Sequence, residues 1–141
     1  MQRLQRKWAT AAKLVPPPLV RAAPRKTRLA VIHFGSTAAA MDEALAALGE
    51  AHIVLDAMRL RAFPFPAAVA EFIAAHDRVF VVEQNRDGQM RQLLVNELQV
   101  DPARLISVLH YDGTPITARF ITQAITQQVH RLAVEPQRAL S

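Results

Sequence analysis

The densest polar run in the chain is Glu83-Gln84-Asn85-Arg86-Asp87-Gly88-Gln89, placed directly after the apolar Val79-Phe80-Val81-Val82. Such a run at the exit of a buried strand could fix a partner chain or a ligand through many hydrogen bonds. It fits equally well as a solvated loop, with Asp87 capping the helix that follows. Gly35-Ser36-Thr37 could hold an anion on free backbone N–H groups at a helix N-terminus. The chain has only four glycines and no G-x-G-x-x-G or phosphate-loop pattern, so a plain helix cap by Ser36 or Thr37 fits better. Arg59 and Arg61 flank Leu60 and have the chemistry to grip a carboxylate or phosphate. Solvated or interface arginines fit the same positions. Five histidines (His33, His52, His76, His110 and His130) form no H-E-x-x-H pair and no tight cluster. His33 and His110 fall near two strand ends, where they could meet, but structural roles suit them better. Ser36 lacks the G-x-S-x-G elbow. No nucleophile–base pair emerges, and no catalytic residue is assigned.

These groups need a scaffold, and the apolar pattern supplies one. Leu29-Ala30-Val31-Ile32-His33-Phe34 is a nearly continuous apolar run, as expected of a strand covered on both faces. Met41, Ala44, Leu45 and Leu48 follow at helical spacing, with Gly49 placed to end that helix. A second strand is expected over His52–Ala57. It leads into the stiff loop Arg59 to Pro66, where Pro66 suits a first helical position. Val69, Phe72 and Ile73 mark the next helix. A third strand covers Arg78–Glu83, and a helix carries Met90, Leu93, Leu94 and Leu98. A fourth strand covers Leu105–His110. The turn Tyr111-Asp112-Gly113 comes next, then Thr114 as a cap and Pro115 at the start of a last helix. That helix buries Phe120, Ile121, Ala124, Ile125 and Val129. Four strand–helix units in a row predict an α/β domain with a mostly parallel sheet and helices on both faces. The strand order is not readable from the pattern. In such sheets function gathers at the carboxyl ends of the strands, where all the polar groups above fall.

The 141 residues are 51% hydrophobic and 21% charged, a composition for one globular domain. The absence of cysteine excludes disulfides and thiolate-held clusters within the chain. The net charge of +5 is unevenly placed. Residues 1–28 carry eight basic side chains and no acid, while the rest carries nine basic and twelve acidic ones. A nucleic-acid reading of this arm would require strongly salt-dependent binding. The arm also resembles a transit peptide superficially, but it lacks serine and is broken by Pro16-Pro17-Pro18. Residues 2–15 suit a short helix, with Leu4, Trp8, Ala11, Ala12 and Val15 near one face, followed by an extended linker. No apolar run is long enough for a membrane span and no secretory segment follows Met1, so a cytoplasmic chain without membrane or nucleic-acid partners is expected.

Taken with its flanks, Val79-Phe80-Val81-Val82-Glu83-Gln84-Asn85-Arg86-Asp87-Gly88-Gln89-Met90 resembles the C-terminal domain of the alpha subunit of 2-oxoacid:ferredoxin oxidoreductases, particularly the 2-oxoglutarate type. Phe34-Gly35-Ser36-Thr37 is similar to that family's first strand–helix turn. Arg59-Leu60-Arg61-Ala62-Phe63-Pro64 is similar to its second-strand exit. Leu109-His110-Tyr111-Asp112-Gly113, with Pro115 and Ala118-Arg119-Phe120, is similar to its last unit. Arg6-Lys7 through Thr10-Ala11 to Leu14-Val15-Pro16 resembles the segment joining this domain to the one before it.

The resemblance implies a three-layer, transketolase C-terminal-like fold with a mostly parallel sheet of about four to five strands. It divides the chain into a helix and Pro-rich basic linker (1–27), the α/β domain (28–132) and a C-terminal tail (133–141). The implied reaction converts 2-oxoglutarate, CoA and oxidised ferredoxin to succinyl-CoA, CO2 and reduced ferredoxin. Thiamine diphosphate, magnesium and an iron–sulfur cluster would sit in partner chains and carry the hard chemistry. The implied partners are the remaining alpha-subunit domains and the thiamine-binding beta subunit, with ferredoxin and CoA meeting only the complex. Met1 falls inside what resembles the connector, so the domain facing the thiamine ring is expected on a separate or longer chain.

The chain is then an assembly module, inactive alone. Its interface or ligand contacts are expected among Asn85, Arg86, Asp87, Gly88, Gln89, Gly35, Ser36, Thr37, Arg59, Arg61, His110, Tyr111 and Asp112. The alternative is a stand-alone module binding a small anion or a protein. As an anion site it would need Gly35 to Thr37, Arg61 and Arg86 to converge.

Overall fold

The computed structural model describes residues 2–138. Helix α1 covers Gln2–Leu14, and strands are β1 (Leu19–Arg21), β2 (Leu29–Phe34), β3 (Asp56–Leu60), β4 (Arg78–Glu83) and β5 (Leu105–Leu109). Helices α2 (Ala38–Glu50), α3 (Ala67–Ala74), α4 (Gln89–Leu98) and α5 (Ala118–Arg138) alternate with them. The sheet order is β1-β3-β2-β4-β5, parallel except for β1, which runs antiparallel to β3 at the edge. The fold is therefore a three-layer α/β domain with five strands and helices on both faces.

Alternation along the strands sorts the side chains into two cores. Val31, Ala57, Phe80, Val82 and Val108 face α2 and α5, meeting Met41, Ala44, Leu48, Ile121 and Ile125. Ala30, Ile32, Met58, Leu60, Val79 and Val81 face α3 and α4, meeting Val69, Phe72, Ile73 and Leu94. The period of two in the strands feeds both layers, which explains why β2 and β4 read as unbroken apolar runs. The bidentate pair of Arg28 with Asp77 closes the amino end of the β2–β4 ladder, raising the guanidinium's pKa and lowering the carboxyl's.

The second strand lies later than the apolar residues suggest. Helix α2 runs past Gly49 to Glu50, and His52, not a glycine, takes the positive φ of 63° that ends it. The Ile53 N–H then returns to the Leu48 carbonyl at 2.8 Å. Ile53 and Leu55 pack into the core from this turn, outside the sheet. The hydrogen-bonded strand is the more polar Asp56–Leu60. Pro66 precedes α3 in an extended conformation, one position before the expected one.

The segment read as a linker contributes the edge strand β1 and a row of ties to the body. Ala23 N–H donates to Asp56 at 2.7 Å, Thr27 Oγ1 to the Val54 carbonyl at 2.9 Å, and Arg25 to the His52 carbonyl at 3.2 Å. Asp56 also meets the buried His76 at 2.8 Å, whose other ring nitrogen faces the Phe72 carbonyl at 2.7 Å. Helix α1, by contrast, buries no residue. It rests on the body through Trp8, which meets Phe63 edge-on at 5.5 Å, with Phe65 behind at 5.3 Å. Phe65 is itself buried, so of the pair only Phe63 is exposed, beside Trp8. One aromatic pair contributes about 0.5–1.5 kcal/mol beyond its area. Deleting residues 2–14 removes this pair together with the half-buried area of Trp8, Ala11 and Ala12, and is expected to lower the unfolding free energy by about 2–4 kcal/mol in urea. A larger loss would show that α1 belongs to the core. The tail expected from residue 133 continues α5 as far as Arg138, and residues 139–141 lie outside the described residues.

Candidate functional site

The chain leaves β2 for β3 on one side and then crosses to β4 on the other, so strand order reverses between β2 and β4. In open parallel sheets that reversal opens a crevice at the carboxyl ends of the two strands. Here one wall is Gly35-Ser36-Thr37, wound as a single 3-10 turn, and the other is the exit of β4. Gln84 closes the gap: its Nε2 donates to Ser36 Oγ at 2.9 Å and to Thr37 Oγ1 at 3.2 Å. Neither hydroxyl caps α2 with its side chain. The cap expectation fails because Gly35, at φ 62°, starts a 3-10 turn that hands its carbonyl to the Ala38 N–H, leaving both hydroxyls to face Gln84.

The polar run organises around Glu83, a carboxylate with no exposed surface. It accepts from Met90 N–H at 2.6 Å, Arg91 N–H at 3.1 Å and Asn85 Nδ2 at 3.0 Å. Asn85 Oδ1 accepts from the N–H groups of Asp87 (3.1 Å), Gly88 (2.8 Å) and Gln89 (3.4 Å). Glu83 and Asn85 thus satisfy the free donors at the start of α4, so Asp87 is not the cap. Its carboxylate points outward to Arg86 at 3.3 Å, and both side chains are exposed. Gly88 makes this turn possible. It holds φ 61°, a left-handed conformation that strains other residues, although an added Cβ would meet its nearest neighbour, Ser107 Oγ, only at an ordinary 3.4 Å.

At the end of β5, His110 is buried against Phe120, with ring centroids 4.7 Å apart, and its Nε2 lies 3.3 Å from Asp112. Thr114 donates to Asp112 through both N–H and hydroxyl, at 2.9 and 2.6 Å. Those hydrogen bonds, the hydroxyl's first, hold the Asp112 carboxyl below its ordinary range. Thr114 is therefore spent on the turn. The cap of α5 falls to Thr117, whose hydroxyl oxygen accepts from Phe120 N–H at 3.1 Å. Tyr111 stands exposed at this corner.

The remaining candidates separate. Arg59 sits within β3 opposite His33, while Arg61 is exposed in the loop beyond. His33 and His110 do not meet, since β4 lies between their strands. Gly35 to Thr37, Arg61 and Arg86 share no hydrogen bond or ion pair with one another. What the structure brings together is Gly35-Ser36-Thr37 with Gln84, and Asn85, Gly88 and Gln89 with Glu83. Glu83 and Gln84 stood at the head of the polar run, yet neither was singled out. The signal was an acid and an amide directly after four apolar strand residues, where the side chains must turn back onto the strand ends.

Among the described residues no group of three His, Asp or Glu side chains could hold a metal ion. The chain has no cysteine to hold an iron–sulfur cluster, and Gln84 fills the crevice between β2 and β4.

No family model matches the chain, and no curated protein matches it. Solved structures do. A 2-oxoglutarate:ferredoxin oxidoreductase from Magnetococcus marinus, solved with 2-oxoglutarate, coenzyme A and succinyl-CoA bound, superposes with a TM-score of 0.73 at 22% identity over 85% of this chain. This chain shares its fold. The alpha chain of a probable 2-oxoacid ferredoxin oxidoreductase from Thermoplasma acidophilum superposes with a TM-score of 0.54 at 20% identity over 81% of this chain. The chain spans 21% of the first protein's length and 97% of the second's. It thus corresponds to one part of the larger enzyme and to nearly the whole of the smaller chain.

Proposed function

We propose that the chain is an assembly module of a 2-oxoacid:ferredoxin oxidoreductase alpha subunit. In this role it works only with partner chains that hold thiamine diphosphate, magnesium and an iron–sulfur cluster. The observation that carries the reading is the superposition on part of a 2-oxoglutarate:ferredoxin oxidoreductase across 85% of the chain. The run from Val79 to Met90, read from sequence alone, supports it independently. So does the character of the crevice: its polar groups are committed to one another, which suits a rigid docking face more than a reacting one.

The partners in this reading are the thiamine-facing alpha domain and the beta subunit, with CoA and ferredoxin engaged by the complex in the cytoplasm. The surface offered to them is the exposed side of the same edge: Gln84, Arg86, Asp87 and Gln89, with Tyr111 at the far corner. Thiamine diphosphate would supply carbanion chemistry in the partner. This chain's own contribution is to hold that face in one shape, through Glu83, Asn85 and Gly88.

The test is affinity capture of the tagged full chain from its native cells, followed by analysis of the co-purifying chains for thiamine diphosphate and iron. Both are expected at near-stoichiometric levels. A chain recovered alone, or with partners lacking both, would overturn the proposal. Among the described residues no helix is long and apolar enough to cross a membrane.

A further inference from the structure

The α2–α5 layer covers β2, β4, β5 and Ala57 of β3 but buries no residue of the β1 edge. Between α2 and that edge lies a pocket of about 210 Å³, walled by Ala38, Asp42 and Leu45 of α2 and floored by His33, Ala57 and Arg59. Arg21 of β1 stands at the rim, paired with Asp42 at 3.2 Å. Arg59 makes no side-chain hydrogen bond or ion pair among the described residues. His33 beside it is only 6% exposed, and its Nδ1 has no hydrogen-bond partner. A buried ring nitrogen without a partner, in a side chain that lines the pocket beside an uncommitted guanidinium, is costly. The pocket opens at the first residue of α2, whose positive end adds to the same field.

We propose that this pocket binds a small oxyanion, with Arg59 as the main contact and His33 as a donor that takes up a proton when the anion binds. The shared chemistry is that of a phosphoryl or sulfuryl group and of a carboxylate. The groups facing His33 are Arg59 from β3, Asp42 from α2 and Arg21 from β1. Burial first, and the Arg59 charge second, push the His33 pKa down to about 4, against a smaller opposing effect of Asp42. An anion between the two cations reverses the second cause and gives the imidazolium a partner. Binding is then linked to protonation and tightens as pH falls. The pocket lies on the α2 side of the sheet and shares no lining residue with the Gln84 crevice, so it stands or falls independently of the assembly reading.

The test is a titration of the full chain, labelled in its histidine and arginine side chains, followed by NMR at constant ionic strength with chloride as background. Sulfate and formate serve as probes because neither changes charge across the working pH range. Saturable movement of the His33 ring and Arg59 Nε signals is expected. Sulfate should bind about eightfold tighter at about pH 5.5 than at about pH 7, the linkage expected if the anion returns His33 to its ordinary pKa. Arg59→Gln should abolish saturation. His33→Gln should keep the neutral-pH binding and lose the pH dependence. Tighter sulfate would assign a phosphoryl- or sulfuryl-bearing ligand, and tighter formate a carboxylate. An unsaturable response at the lower pH, a wild-type response in Arg59→Gln, or equal affinity at the two pH values would overturn the proposal. Arg59 is only partly buried, so that variant remains informative if His33→Gln fails to fold.

Discussion

Glu83→Ala is expected to lower the unfolding free energy by about 3–4 kcal/mol in a urea titration at neutral pH. The carboxylate is fully buried and accepts from two backbone N–H groups of α4 and from Asn85. Alanine removes all three acceptor contacts at once and leaves the Met90 and Arg91 amides without partners in a dry environment. It also releases Asn85, which holds the turn at Gly88. Glu83→Gln keeps the shape and one carbonyl oxygen. It should cost about half as much, since a neutral acceptor is weaker than a charged one. A loss below about 1 kcal/mol in the alanine variant would mean that water reaches these amides and the β4 exit is not the rigid corner described here.

The second large effect is a pH dependence that belongs to one side chain. The His33 pKa is depressed to about 4 in the folded chain, below the ordinary value of the unfolded one. As pH falls, the unfolded chain takes up the proton first. The contribution of neutral His33 is therefore complete above about pH 6.5 and is lost as pH falls toward about 4, for a total of up to about 3 kcal/mol. Wild-type chain and His33→Gln should differ in the slope of stability against pH over that window, and run parallel above it. The carboxylates titrate alike in both, so the difference isolates His33. Equal slopes would place His33 in contact with water and remove the physical basis for its burial beside Arg59.

Most of the scaffold was legible in the sequence because the helical and strand periods are strong and seldom interrupted. β4 lies where its apolar run put it, and the stripes of α3, α4 and α5 face the core. β3 was misplaced because Ile53, Val54 and Leu55 carry the apolar signal while Asp56 and Arg59 carry the hydrogen bonds. A helix-ending turn can bury apolar side chains as well as a strand can. The edge strand β1 was hidden by its length of three residues and by the three prolines just before it, and only the β3 edge it pairs with defines it. The caps failed for a common reason. Asp87, Thr114 and the Ser36–Thr37 pair have capping chemistry. At α4 and α5 a neighbouring acceptor, Glu83 or Thr117, reached the same donors from a better position, while Ser36 and Thr37 were taken up by Gln84. Local sequence shows which residues can cap, and the tertiary fold decides which ones do.

The candidate site was legible in part for the same reason. The polar run named the right loop, and the topological rule named the right edge. The crevice itself depended on strand order, which places β2 beside β4, and no local pattern encodes that. Arg59 was noticed for its anion chemistry, but its neighbour proved to be His33 across the ladder, not Arg61 two residues on.

The most direct test of the central claim is an activity measurement on the captured complex. Material purified through the tagged chain should reduce a viologen dye only when both a 2-oxoacid and CoA are present, with 2-oxoglutarate tried first. Dye reduction that requires both substrates and disappears when the tagged chain is omitted is the predicted result. An eluate that contains the folded chain but reduces no dye with any 2-oxoacid would contradict the account.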